Sequence, residues 1–380
     1  MDSSRTDVIQ GNSACIEGAI LAGCRHFACY PITPSNEIAE EAALKLPLHG
    51  GRFIQMEDEL GAIMTLIGAS WGGSKAMTAT SGPGLCLMQE GIGWAALSET
   101  PLVIVDVQRG GPASGQSTSP AQGDVFAIRY GSNGDYPMIT LAPSNAQEFL
   151  EMTVQAFNLS ERFRTPVIIA ADEIVSHTRE KVTIPAPGSV KVVERKKPTE
   201  KTGEGYLPFK PDENGVPPMA NFFEGYNVPV LSQVHGYDGF RAKGQKEASE
   251  FIRRLHSKID DHMDEITSID EYMTEDAQVV FVSYGSVTRA ARSAVTMLRE
   301  DGYKVGSIQL KTIWPFPEKE IREYGKRFKT IIVPEMNMGK MVKEVRLAVD
   351  GKCTTLSFPK VGGACHTPNE LCNFFKEATR

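Results

Sequence analysis

Between residues 1 and 182 the chain alternates short apolar runs with longer stretches of mixed character. Residues 14–22 are small and apolar, which predicts a closely packed helix. Residues 27–30, 52–55, 76–80, 102–107, 138–141 and 167–171 are short and partly β-branched, and they read as strands. Residues 37–46 read as a helix, with Ser35 as its N-cap and Glu37 and Glu40 near the positive end of its dipole. Strands alternating with helices predict a mostly parallel sheet covered on both faces. From Asp276 the pattern returns, with strands at 279–283, 305–310, 330–333 and 354–357 and helices at 288–299, 318–328 and 341–349. The fold class is therefore α/β, with two doubly wound, mostly parallel-sheet domains. Residues 183–235 differ. Eight of the 23 prolines lie between Lys181 and Val230, so this stretch reads as an irregular connector that extends over a neighbouring copy. After it, Ala248, Phe251, Ile252, Leu255, Ile259 and Met263 fall on one helical face within 245–266.

Composition narrows the class. With 380 residues, two or three domains are expected. Hydrophobic residues make up 41% and charged residues 23%, which excludes disordered and fibrous classes. Forty basic residues against 47 acidic ones give a net charge of -7, which does not favour nucleic acid. No apolar run is long enough to span a bilayer, and the polar start lacks a signal peptide's apolar stretch, so no membrane and a cytoplasmic location are expected. The seven cysteines form no Cys-x-x-Cys pair, and no metal site is expected on this chain.

Four stretches carry candidate chemistry. Tyr30-Pro31-Ile32-Thr33-Pro34-Ser35-Asn36 lies at a strand end, where its prolines stiffen the turn around Thr33. A hydroxyl beside the backbone N–H groups of a helix start suits a carboxylate or phosphate. Glu57, Asp58 and Glu59 precede a helix rich in small residues, including Gly61, Ala62 and Gly68. A carboxylate entering such a close-packed helix would be partly desolvated. Thr80-Ser81-Gly82-Pro83-Gly84 has the shape of a ligand-cradling loop, but without the Gly-Lys-Ser/Thr of a phosphate-binding loop. Arg109, ending an apolar strand and followed by Gly110 and Gly111, suits two-pronged recognition of a carboxylate. The polar loop after it, with Ser114, Ser117, Thr118 and Ser119, reads as a binding or lid element.

Taken in order, the stretches 30–35, 55–59, 78–84 and 108–112 resemble the α subunits of the 2-oxoacid:ferredoxin oxidoreductase family, and Pro334-Glu335-Met336-Asn337-Met338-Gly339 resembles their second domain. The resemblance covers residues 8–182 and 240–380. It implies a thiamine-diphosphate pyrimidine-binding-like domain at 1–182, an extended connector at 183–240 and a transketolase C-terminal-like domain at 241–380. It also implies CoA-dependent oxidative decarboxylation of a 2-oxoacid with ferredoxin reduction, or the reverse. The wording from Gln108 to Asp124 is closer to the 2-oxoglutarate branch, which forms succinyl-CoA and CO2, than to the pyruvate or branched-chain branches. A non-catalytic assembly subunit is the alternative of another class.

The resemblance assigns Glu59 the hydrogen bond to the aminopyrimidine ring nitrogen of thiamine diphosphate, with Glu57 as fallback. It assigns Thr33 and Arg109 to the substrate carboxylate, and Pro31, Ile32, Thr80, Ser81 and Gly82 to the cofactor. Arg129 and the 114–119 hydroxyls are candidates for the second carboxylate of 2-oxoglutarate, because a buried carboxylate needs a partner. The family's Gly-Asp-Gly diphosphate motif is missing, since neither Gly123-Asp124-Val125 nor Gly134-Asp135-Tyr136 fits it. Cluster cysteines are missing too. A β subunit carrying the diphosphate site, Mg2+ and a [4Fe–4S] cluster is therefore implied, in an (αβ)2 heteromer with separate γ and δ chains. A further domain fused to this chain is not expected.

Overall fold

The computed structural model describes residues 4–200 and 205–379. The first half contains β1 (Arg5–Gln10), α1 (Gly11–Leu21), β2 (Cys24–Cys29), α2 (Asn36–Lys45), β3 (Arg52–Gln55), α3 (Glu59–Trp71), β4 (Lys75–Thr80), α4 (Gly82–Leu97), β5 (Leu102–Gly110), β6 (Gln116–Pro120), α5 (Val125–Tyr130), β7 (Ile139–Leu141), α6 (Ala146–Phe163), β8 (Pro166–Asp172), α7 (Glu173–His177) and β9 (Arg179–Ile184). The second half contains α8 (Gln245–Asp260), α9 (Met263–Ile266), β10 (Ile269–Tyr272), β11 (Val279–Ser283), α10 (Val287–Glu300), β12 (Val305–Leu310), β13 (Thr312–Trp314), α11 (Glu318–Arg327), β14 (Thr330–Glu335), α12 (Met341–Val349), β15 (Thr354–Pro359) and α13 (Pro368–Ala378).

The first sheet runs β13-β7-β8-β5-β4-β2-β3, with β6 paired to β5. Its strands from β7 to β3 are parallel. The edge strand β13 is antiparallel and comes from the second half of the chain. Strands β4, β5 and β8 are buried along their whole length, because helices cover both faces. The second sheet runs β10-β12-β11-β14-β15, parallel except for the edge strand β10. One apolar cluster joins the two halves, from Ile63 and Ile104 through Trp314 to Val280 and Val345.

The short apolar runs predicted as strands lie in strands, apart from Tyr30 and Met138, which fall just outside β2 and β7. The pattern missed β6, β10 and β13, and also β1 and β9, which pair with each other antiparallel. Ser35 is a correction of another kind. It stands at the N-cap position, but its side chain does not cap α2. Its hydroxyl donates back to the Ile32 carbonyl at 2.8 Å, tightening the turn around Thr33. The 245–266 helix breaks after Asp260, while Phe251, Leu255 and Ile259 bury the predicted face.

The connector wraps its own chain. Phe222 stacks on Trp71 with ring centroids 5.6 Å apart, and Arg195 forms a two-pronged pair with Glu161 at 2.8 Å on both arms. The Arg164 guanidinium donates to the carbonyls of Pro208, Pro217 and Pro218. Among its described residues the connector forms no helix, and no strand beyond the end of β9 and one His235–Arg241 bridge, and side-chain donors take up these proline carbonyls instead.

Candidate active site

The four motifs meet because they follow β2, β3, β4 and β5, four parallel strands whose carboxyl ends share one edge. Ligands of open parallel sheets bind outside that edge. Each turn is built locally. Ile32 accepts from both the N–H and the hydroxyl of Ser35, and the Asn36 side chain donates to Thr33 Oγ1 at 3.3 Å. Arg109 then reaches across from β5 and donates through Nη1 to the Thr33 carbonyl. Arg109 is 8% exposed, and its Nε has no partner. Its strand does not open into a free loop. It turns at Gly110 and returns as β6, with Arg109 facing Pro120 in register.

The three successive carboxylates divide their work. Glu57 is exposed. Asp58 caps α3, its Oδ1 accepting from the Gly61 N–H at 2.7 Å. Glu59 begins the helix, is 5% exposed, and enters no ion pair or side-chain hydrogen bond among the described residues. Its carboxylate lies against the start of α4, where a Cβ on Gly84 would fall 2.4 Å from Glu59 Oε1 and 2.1 Å from Thr80 Oγ1. Only glycine leaves that space open. The neighbouring Cys29 thiol is pushed up to about 12, mainly by burial and secondarily by the Glu59 charge. At the head of α4, Ser81 is fully buried, and its hydroxyl neither caps the helix nor finds another partner.

Thr33, Arg109, Glu59, Thr80, Ser81 and Gly82 thus gather on one edge, together with the turn residues Pro31 and Ile32. Arg129 does not join them. Its Nη1 donates to the Tyr136 carbonyl at 2.7 Å, and it lines a separate cavity of about 630 Å³ with Tyr130, His256, Trp314, Lys319 and Glu344.

The sequence reading missed two carboxylates. Asp106 is fully buried inside β5, with neither oxygen hydrogen-bonded. Burial, and then the Asp124 charge, hold its carboxyl well above the usual range. Asp124 is raised to about 6 by burial, while Lys340 and Arg109 pull it down. A charged residue within the apolar run 102–107 was the available signal for Asp106. Gln122 was also missed. Its Nε2 donates to the Tyr284 carbonyl at 2.9 Å, and its Oε1 accepts from the Met336 N–H at 3.1 Å. Asn337 Nδ2 donates to the Gln122 carbonyl at 2.8 Å, and Lys340 reaches the Gly123 carbonyl. The 334–339 motif therefore grips the first domain.

The donor set suits an aminopyrimidine: a buried, unpartnered carboxylate faces a glycine-lined gap, with an orphaned hydroxyl at the same helix start. Among the described residues, no group of three or more His, Cys, Asp or Glu side chains is placed to hold a metal ion.

The family profile described as "Pyruvate flavodoxin/ferredoxin oxidoreductase, thiamine diP-bdg" matches residues 17–253, and "Pyruvate:ferredoxin oxidoreductase core domain II" matches 277–371. The chain belongs to the 2-oxoacid:ferredoxin oxidoreductase family. The 2-oxoglutarate synthase subunit KorA of Methanothermobacter thermautotrophicus is 49% identical over 98% of this chain and 98% of its own length. A solved structure of 2-oxoglutarate:ferredoxin oxidoreductase from Magnetococcus marinus, with 2-oxoglutarate, coenzyme A and succinyl-CoA bound, superposes with a TM-score of 0.92 at 32% identity. It covers 99% of this chain, and this chain spans 65% of that one. A split-gene transketolase β4 tetramer matches at a TM-score of 0.56 and 13% identity over 98% of each chain, a likeness of fold alone. The first profile, named for thiamine diphosphate binding, spans the sheet edge that carries Glu59. No helix among the described residues is long and apolar enough to cross a membrane.

Proposed function

We propose that the chain is the α subunit of a thiamine-diphosphate-dependent 2-oxoglutarate:ferredoxin oxidoreductase, interconverting 2-oxoglutarate with succinyl-CoA and CO2. The juxtaposition that carries this reading is the buried, unpartnered Glu59 carboxylate against Gly84, on the same sheet edge as the Thr33–Arg109 pair. When bound, thiamine diphosphate supplies the carbon nucleophile that attacks a 2-oxoacid carbonyl. Glu59 accepts a hydrogen bond from its protonated ring nitrogen. Arg109, braced on the Thr33 carbonyl, holds the 2-oxoacid carboxylate together with the Thr33 hydroxyl. Pro31, Ile32, Thr80, Ser81 and Gly82 shape the cofactor's bed.

The diphosphate, Mg2+ and a [4Fe–4S] cluster belong to a partner β chain, which passes electrons to ferredoxin. Exposed Tyr30, Leu60 and Leu87 beside the site suit coverage by that chain. Arg129 is committed to Tyr136 in another cavity, so the cation for the distal carboxylate comes from the partner as well. The test is anaerobic co-purification with the partner, followed by 2-oxoacid- and CoA-dependent reduction of a viologen dye. Strong preference for 2-oxoglutarate supports the reading. Preference for pyruvate or 2-oxoisovalerate rejects the substrate but keeps the chemistry. No reduction with any 2-oxoacid, in a complex holding cofactor and cluster, rejects both.

A further inference from the structure

The second sheet reverses its winding between β11 and β14, the place where an open α/β sheet takes a ligand. Here the crevice is filled by Gln122 of the first domain, bonded to Tyr284, Met336 and Asn337. Two residues later stands Asp124. Its N–H donates to Gln108 Oε1 at 3.1 Å, and a Cβ on Gly82 would lie 3.2 Å from its carboxylate. Asp106 faces it from β5, opposite Thr80 in the ladder. Both Asp106 oxygens, Asp124 Oδ2 and the fully buried Gln108 Nε2 are without partners. The charged and titratable groups facing the pair are Arg109 from β5, Lys340 at the head of α12, Cys86 from α4 and the Tyr284 phenol after β11.

We propose that the buried Asp106–Asp124 pair, held in place by the second domain's grip on Gln122, is a positioning element that tunes how firmly Arg109 holds the carboxylate of a 2-oxoacid. The proposal rests on the function proposed above. Two adjacent buried carboxylates do not both ionise. Asp106, with no cation of its own, keeps the proton, which supplies a donor to a cluster otherwise made mostly of acceptors. Asp124 carries the charge. When ionised, its carboxylate partly neutralises Arg109; burial raises its pKa, so as pH falls it takes up a proton and the full Arg109 charge faces the substrate. The second domain sets the strength of this screening by fixing Asp124 through Gln122 and Lys340.

The experiment uses the co-purified heteromer, with KM and kcat for 2-oxoglutarate measured across pH. In the parent enzyme KM should climb roughly fivefold as pH rises from about 5 to about 7.5. In Asp124→Asn that climb should disappear, with KM at the high-pH end lowered roughly fivefold and the change confined to KM rather than kcat. Infrared difference spectra of the same heteromers read the pair without any turnover. A protonated carboxyl band at neutral pH should be present in the parent and lost in Asp106→Asn. An Asp124→Asn profile superimposed on the parent's overturns the proposal, as does the absence of that band from the parent-minus-Asp106→Asn spectrum. If Asp124→Asn does not assemble, the infrared result on Asp106→Asn decides. Failure of the functional reading looks different: no 2-oxoacid then supports turnover in the parent itself.

Discussion

Around Glu99 and around Asp106 the same domain buries acidic side chains in opposite ways. Glu99 is fully buried and accepts from Arg254 at 2.6 Å and from Lys258 at 2.8 Å, and those cations hold its carboxyl far below the usual range despite burial. Glu161 is likewise matched by Arg195. These pairs fasten α8 and the connector to the sheet. At the ends of β4 and β5, Ser81 Oγ, Gln108 Nε2, Arg109 Nε and both Asp106 oxygens stay unpartnered. An unsatisfied buried polar atom costs stability, so a fold keeps a cluster of them where function uses them. The two regions differ in how their carboxylates are met: Glu99 is paired with cations, although Arg164 Nη2 and Arg254 Nε beside it lack partners, whereas Asp106 accepts from nothing.

That contrast can be broken from either side. The largest effect should come from Glu99→Gln, which leaves Arg254, Lys258 and Arg164 with uncompensated buried charge. Denaturant unfolding should show a loss of about 3–5 kcal/mol, with turnover per folded heteromer within about twofold of the parent. Glu59→Gln should do the reverse, lowering turnover by roughly 100-fold while assembly and unfolding midpoint hold, as read by size-exclusion chromatography and viologen reduction. Unchanged turnover would reject the cofactor-activating role and favour a non-catalytic assembly subunit. Gly84→Ala should weaken thiamine diphosphate binding by roughly tenfold, because the added methyl displaces Glu59 and Thr80; titration of the heteromer with cofactor measures it. The smallest effect belongs to Phe223→Ser. Phe222 is stacked on Trp71, but its neighbour Phe223 is 102% exposed, so stability of the isolated chain should move by less than about 0.5 kcal/mol. A lower heteromer mass in that variant would show that Phe223 contacts another subunit.

Much of this was legible along the chain. Short apolar runs marked the strands of both sheets, because a strand buried on both faces has few alternatives to Val, Ile, Leu and Ala. The glycines of 80–84 and the run of carboxylates at 57–59 marked two of the site's turns, and Arg109 stood out at the end of an apolar strand. The strands β1, β9 and β13 were not legible, since their pairing is set by partners far away in the chain. The resemblance named Glu59 with Glu57 as fallback, and that Glu59 turns inward while Glu57 stays exposed depends on the direction of one turn. Asp124 looked like a motif that failed to fit, and Gln122 looked like nothing at all. Their meaning comes from Asp106 and from the second domain's crevice, 214 residues away at Met336. Residue type and spacing along this chain determined the buried parallel strands, the helices between them and the family. Burial, the pairing of charges and the plugging of one domain by the other were decided only in three dimensions, because desolvation and Coulomb energy depend on every group nearby and not on the order in which they were joined.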